Sequence, residues 1–235
     1  MSPFLGEFIG TALLIIMGGG VVANVVLSKT KGQNSGWIVI TFGWAMAVFL
    51  GVYASNSLGG SGHLNPAVTL GLSAFGDFDP SLLLTYLAAQ FGGAFTGAVI
   101  VWVAYKQHFD ETADKDLKLA VFSTAPAIRN PLYNLLTEII GTFILMFGAL
   151  TMSKSAATLG ALDALPVALL VLGIGLSLGG PTGYAINPAR DLGPRIAHFI
   201  LPIKNKRDSD WSYSWIPVIG PVIGALIAAY IFKLL

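Results

Sequence analysis

The tripeptide Asn-Pro-Ala occurs twice in this chain of 235 residues, as Asn65-Pro66-Ala67 and as Asn187-Pro188-Ala189. An uncharged, Gly-rich stretch leads into each copy, Ser57 to Leu64 in the first and Gly179 to Ile186 in the second. Pro at the first helical position loses nothing, because its missing N–H would have no intrahelical partner. Asn before it is a good N-cap. Each copy therefore predicts an irregular segment feeding a short helix. The first is expected to run from Pro66 to about Phe75, where Gly76-Asp77 stops it. Such a helix rises roughly 15 Å, about half of a ~30 Å hydrocarbon core. Two of them entering a membrane from opposite faces would meet at their Asn ends.

A membrane is what the rest of the chain requires. Six apolar segments stand out, at roughly residues 4–27, 37–56, 81–104, 132–152, 164–179 and 215–234. Charged residues make up 11% of the chain and hydrophobic ones 54%, against about 25% charged in a soluble domain. In lipid only helices and closed barrels satisfy their backbone, and barrel strands would alternate apolar with polar residues. The fold class is therefore all-α membrane protein: six transmembrane helices plus two re-entrant half-helices. A net charge of +1 gives no basis for a nucleic-acid partner, and the absence of Cys excludes disulfides, thiol chemistry and Cys-ligated metal. Met1-Ser2-Pro3 has no basic region ahead of the first span and no small-residue cleavage site, so that span is expected to be retained.

The chain also repeats itself. Glu7-Phe8-Ile9-Gly10-Thr11 opens the first span and Glu138-Ile139-Ile140-Gly141-Thr142 lies within the fourth. A weaker echo links Gln90 to Ala94 in the third span with Gly220 to Ala225 in the sixth. The expected organisation is one membrane domain, residues 1–235, built of halves of about 1–110 and 131–235. Each half has an odd number of spans, so the halves would be inverted. Orientation is signalled less directly. Lys29, Lys31, Lys106, Lys115, Lys118, Arg129, Lys204, Lys206 and Arg207 fall in the first, third and fifth connections, and the other side has only Lys154 and Lys233. Counted alone, these would put the termini outside.

At the meeting point each half-helix presents a dipole end of about +0.5 charge. The amides of Asn65 and Asn187 would donate to a water or hydroxyl oxygen there, and a cation or proton would meet a barrier. The extended segments would expose carbonyls at Ser61, Gly62 and His63, and at Gly183, Tyr184 and Ala185. Irregular backbone in a membrane is tolerated where it lines a cavity. Arg190, directly after the second motif, costs roughly 2.5–3.5 kcal/mol at the membrane centre. It reads either as a snorkelling side chain or as a donor fork at a constriction that grips hydroxyls and repels cations. Asp191 reads as a first-turn acid or as the neutraliser of a neighbouring base such as Arg195. Glu7 and Glu138 allow a proton relay, but their symmetry in the repeat favours acceptors for the backbone N–H groups of the re-entrant loops. His63 is expected to fix its loop by a hydrogen bond rather than bind metal. Gly92, Gly93, Gly97, Gly220 and Gly224 read as close helix contacts.

Together these residues resemble the major intrinsic protein family, the aquaporins and aquaglyceroporins, over the whole chain. Gly183 to Arg195 is similar to the glycerol-facilitator branch, in which Asp follows the pore Arg and a basic residue comes a helical turn later, here Asp191 and Arg195. By position Trp44, Gly175, Tyr184 and Arg190 match that branch's selectivity filter, with Tyr184 where Phe is usual; the lead-in to the first motif is longer than usual. The resemblance implies a passive channel for glycerol and similar small uncharged solutes, with water, that excludes ions and protons. In it Trp44 and Tyr184 would form an apolar corner for the carbon backbone, and Arg190 and the carbonyls would hold the hydroxyls. Gly175 would leave room for a three-carbon solute. Similar bacterial channels are associated with glycerol, water, dihydroxyacetone, hydrogen peroxide or undissociated lactic acid. The resemblance further implies a homotetramer with one pore per protomer, embedded in plasma-membrane lipid with both termini cytoplasmic, against the Lys/Arg count. No cofactor, metal or nucleic acid is implied. Alternatives are a channel mainly for water or lactic acid, or a secondary transporter, although no intramembrane Asp or His pair offers a coupling-ion site. An enzyme is not expected: no third group orients His63 beside Ser61.

Overall fold

The computed structural model describes residues 1–153 and 160–235. Its α-helices are α1 (Pro3–Val26), α2 (Trp37–Ser57), α3 (Pro66–Phe75), α4 (Leu83–Ala104), α5 (Lys106–Glu111), α6 (Lys115–Ala120), α7 (Pro131–Ser153), α8 (Leu165–Leu178), α9 (Pro188–Ile200) and α10 (Ile216–Leu234). There is no strand among the described residues. Lys154 and most of the 153–163 connection lie outside them. Among the described residues five segments are long and apolar enough to cross a membrane. The fifth of the six expected spans, α8, has only 14 residues, a rise of roughly 21 Å.

The chain's local chemistry explains the ends. Ser2 caps α1 by accepting from the Leu5 N–H at 3.2 Å, and Pro sits in the first turn of α1, α3, α8, α9 and α10. The first half-helix has the predicted limits, Pro66 to Phe75, and Gly76 closes it with an N–H to the Leu72 carbonyl at 2.9 Å.

Packing pairs the halves in equivalent ways. α1 lies on α4, and α7 on α10. Both contacts depend on a missing side chain. A Cβ at Gly93 would sit 2.3 Å from the Phe8 carbonyl, and one at Gly224 would sit 2.3 Å from the Ile139 carbonyl. Phe8 and Ile139 each follow one of the two repeated glutamates. Each half-helix then crosses to the other half: α3 packs on α10 and α9 on α4. Neither half could therefore bury its own short helix alone.

Residues 106–130, which read in sequence as a plain connection, carry α5 and α6 and are clasped at both ends. The Ser28 N–H donates to Thr112 Oγ1 at 2.9 Å, and Lys118 Nζ donates to the Lys204 carbonyl at 2.6 Å. Lys29 pairs with Glu111, Arg207 with Asp116 and Arg129 with Asp210. Burial alone would raise the Asp210 carboxyl, but the Arg129 guanidinium and the Ser212 hydroxyl hold it below its ordinary value. These contacts place Val121 to Thr124 directly over the second re-entrant loop.

Candidate functional site

The two motifs meet. Asn65 Oδ1 accepts from the Ala67 N–H at 2.9 Å, and Asn187 Oδ1 accepts from Ala189 at 3.0 Å and Arg190 at 3.2 Å, so each Asn caps its own half-helix. The amide nitrogens cross over. Asn65 Nδ2 donates to the Ile186 carbonyl and Asn187 Nδ2 to the Leu64 carbonyl, both at 2.8 Å. An amide nitrogen carries two hydrogens, so each keeps a second for the cavity that both residues line. The crossover demands unusual backbone: Leu64 and Ile186 have φ of 51° and 44°. Such conformations cost about 1–3 kcal/mol each in bulky residues and persist only where their surroundings enforce them.

The enforcement comes from the two buried glutamates. Glu7 accepts N–H groups from Ser61 at 3.3 Å, His63 at 3.0 Å and Leu64 at 2.8 Å, together with the Ser55 hydroxyl at 3.0 Å and Gln90 Nε2 at 2.8 Å. Glu138 accepts N–H groups from Ala185 at 3.0 Å and Ile186 at 2.8 Å, and the Thr182 hydroxyl at 2.7 Å. Removing an acceptor leaves each buried donor unmet, at about 1–3 kcal/mol apiece. Glu138→Leu orphans three donors, a loss comparable with a domain's whole stability. The variant is expected to fail to yield monodisperse protein in detergent; recovery at wild-type yield and melting temperature would contradict this.

Around the crossover runs a cavity of about 320 Å³. Its lining is mostly apolar, with Val48, Val52, Val68, Leu72 and Val171 among the residues that border it, and Ser61, Gly62, His63, Ala185 and the two Asn residues supply polar groups. Trp44, Tyr184 and Arg190 also border it. The Arg190 guanidinium carbon lies 4.2 Å from the Trp44 ring centroid, and its Nη1 donates to the Phe122 carbonyl at 3.4 Å. Arg190 is thus held inside the protein rather than extended to an interface; it is 8% exposed.

Gly183 packs against Thr124, and its N–H donates to the Gly179 carbonyl at 2.8 Å. A Cβ at Gly175 would lie 2.8 Å from Tyr184 Cζ and 3.0 Å from the Tyr184 hydroxyl. The room that Gly175 leaves is filled by the Tyr184 ring, not by open lumen.

Asp191 supports the loop from behind. It pairs with Arg195 at 2.8 Å, both side chains being fully buried. Its other oxygen accepts the Thr124 N–H and hydroxyl, each at 2.8 Å. Arg195 spends its remaining donors on the carbonyls of Thr124, Ser209 and Asp210, at 3.0, 2.7 and 3.1 Å. His63 Nδ1 lies 3.1 Å from Thr69 Oγ1, and the ring packs on Phe78 and Tyr86. Among the described residues no cluster of His, Cys, Asp or Glu could hold a metal ion. Ser55, Gln90, Thr124 and Thr182 were not singled out from sequence. Gln90, an amide inside an apolar run, carried a signal that could have been used; Thr124, in a polar connection, carried none.

These features define a multi-pass membrane protein in which two half-helices meet across an internal cavity. Comparison with known proteins agrees. Residues 1–232 match the family described as major intrinsic protein. The chain is 58% identical over 233 residues to the probable glycerol uptake facilitator protein of Thermotoga maritima, with 99% of each chain covered. It is 51% identical over 231 residues to glycerol uptake facilitator protein 3 of Lactiplantibacillus plantarum, covering 98% of this chain and 95% of the relative. The X-ray structure of the aquaglyceroporin from Plasmodium falciparum has a TM-score of 0.87 and 32% identity, covering 98% of this chain and 94% of that one. The chain belongs to the major intrinsic protein family and has the aquaporin fold.

Proposed function

We propose that the protein is a passive channel, not an enzyme, for glycerol and similar small uncharged solutes and for water, and that it excludes ions and protons. One observation carries this reading: the cavity at the Asn65–Asn187 crossover combines a mostly apolar lining with a few polar groups of the two loops. A polyol has the same two kinds of surface, carbon and hydroxyl. The names of the relatives, glycerol uptake facilitators in two bacteria, point the same way. Asn65, Pro66 and Ala67 with Asn187, Pro188 and Ala189 form the dipole barrier at the midpoint. Trp44, Tyr184 and Arg190 form the constriction, with Gly175 acting through Tyr184. Carbonyls of Ser61, Gly62, His63, Tyr184 and Ala185 receive the hydroxyls. Glu7, Glu138 and Asp191 hold the loops.

The reading includes one domain made of inverted halves of about 1–110 and 131–235, supported by the paired contacts of Gly93 and Gly224. It also includes a homotetramer in the plasma membrane with cytoplasmic termini. The orientation follows the family rather than the Lys/Arg count. Proteoliposomes under stopped-flow light scattering test the activity. Glycerol flux is expected to rise almost linearly with concentration and to ignore an imposed pH gradient. Accumulation of solute against its gradient, driven by protons or sodium, would replace the channel with a secondary transporter.

A further inference from the structure

Tyr184 is held in an unusual way. Its backbone has φ of 40°, a conformation that bulky residues seldom adopt. Its ring is 6% exposed, and its hydroxyl is buried with no hydrogen-bond partner among the described residues. A buried tyrosine hydroxyl usually finds a partner. Among the described residues, the ring is held by packing. Behind the ring are two glycines of the α8 end. A Cβ at Gly175 would lie 2.8 Å from Tyr184 Cζ, and one at Gly179 would lie 2.6 Å from Tyr184 Cδ1. Beside it is Trp37. The two rings meet edge to face, centroids 5.9 Å apart at 77°, the geometry that aromatic pairs prefer. The same indole is tied to the same floor: Trp37 Nε1 donates to the Gly175 carbonyl at 3.1 Å, and its Cζ2 would lie 2.7 Å from a Cβ at Gly179.

The helix explains why Trp37 can reach. Trp44, Val48 and Val52 of α2 border the cavity. Residues three and four apart share a helix face, so Thr41 and Trp37 continue that row beyond Trp44, toward the mouth. Trp37 remains 42% exposed there, so its ring edge serves Tyr184 without being sealed in the core.

We propose that Trp37 is a positioning residue for Tyr184, and that it thereby sets the width of the constriction formed by Trp44, Tyr184 and Arg190. The proposal rests on that constriction being the filter. Gly175 and Trp37 then act on Tyr184 in opposite senses. A side chain at 175 drives the ring into the lumen; loss of the indole lets the ring fall back toward the mouth.

The test uses purified full-length protein in proteoliposomes, with the xylitol-to-glycerol and glycerol-to-water permeability ratios measured for each variant. Trp37→Ala is expected to raise the xylitol-to-glycerol ratio by at least about threefold, the scale of one lost aromatic edge contact. Trp37→Phe, which keeps a ring edge but not the N–H, should stay close to wild type. Gly175→Ala should shift the other way and lower glycerol relative to water. If Trp37→Ala does not assemble, Trp37→Leu, apolar but without a ring edge, decides by the same ratio. Wild-type ratios in the Trp37 variants, or an equal fall for every solute, would overturn the proposal while a response at Gly175 left the filter standing. No response at Trp37, Gly175 or Arg190 would instead remove the filter itself.

Discussion

Cation leak through Arg190→Val, in protein shown to remain assembled, is expected to rise by up to about a hundredfold. Two like unit charges about 6 Å apart repel by roughly 3 kcal/mol at an effective dielectric of ~20, which converts to that factor. The geometry favours so large a term. Arg190 borders the cavity, its guanidinium carbon lies 4.2 Å from the Trp44 ring centroid, and one nitrogen donates to the Phe122 carbonyl. These contacts hold the charge at the cavity. The dipole ends at Asn65 and Asn187 remain in the variant, so leak should stay far below that of an ion channel. Glycerol should continue to pass, with less discrimination against longer polyols. The checks are conductance in planar bilayers and a panel of solute fluxes. Ion leak and solute ratios both at wild-type values would leave Arg190 as a structural cation only.

Gly175→His should nearly close the channel to glycerol while leaving it open to water. The mechanism is indirect. A Cβ at 175 already meets the Tyr184 ring at 2.8 Å and Thr41 Cγ2 at 3.0 Å. The Gly179 side offers no relief, since a Cβ there would lie 2.6 Å from the same ring. An imidazole can enter only by pushing Tyr184 toward Trp44 and Arg190. Glycerol flux should fall by about tenfold to a hundredfold, the scale on which a closely fitted site rejects added bulk. Water, a single oxygen, should fall far less, because exclusion here is a matter of diameter and lining donors. Water and glycerol permeability per folded protein, measured together, decide the matter. A glycerol-to-water ratio unchanged from wild type would refute any role of Gly175 in the filter, direct or through Tyr184.

Much of this molecule was written locally. Pro66 and Pro188 start the half-helices, Asn65 and Asn187 cap them, and Gly76 ends the first. Those outcomes depend on residues within one or two turns, so the sequence determines them directly. The long apolar runs became helices for an equally local reason: in lipid, a segment must satisfy its own backbone. Glu7 and Glu138 were legible because each is a lone acid in an apolar run and the repeat names both. Their backbone partners, the loop N–H groups, were legible too, but their side-chain partners and that of Asp191 were not. Glu7 meets Gln90 across 83 residues, and Asp191 meets Thr124 across 67; nothing local distinguishes those polar residues from others. The same holds for α5 and α6, whose short runs gain their order from clasps to residues 28–29 and 204–210. Gly175 shows the division most clearly. Sequence alone marked it as an absence of side chain, but what occupies that absence depends on a ring nine residues further along, on Thr41 of another helix and on Trp37 beyond it. A residue type specifies the space it leaves; only the packed tertiary structure decides which neighbour fills it.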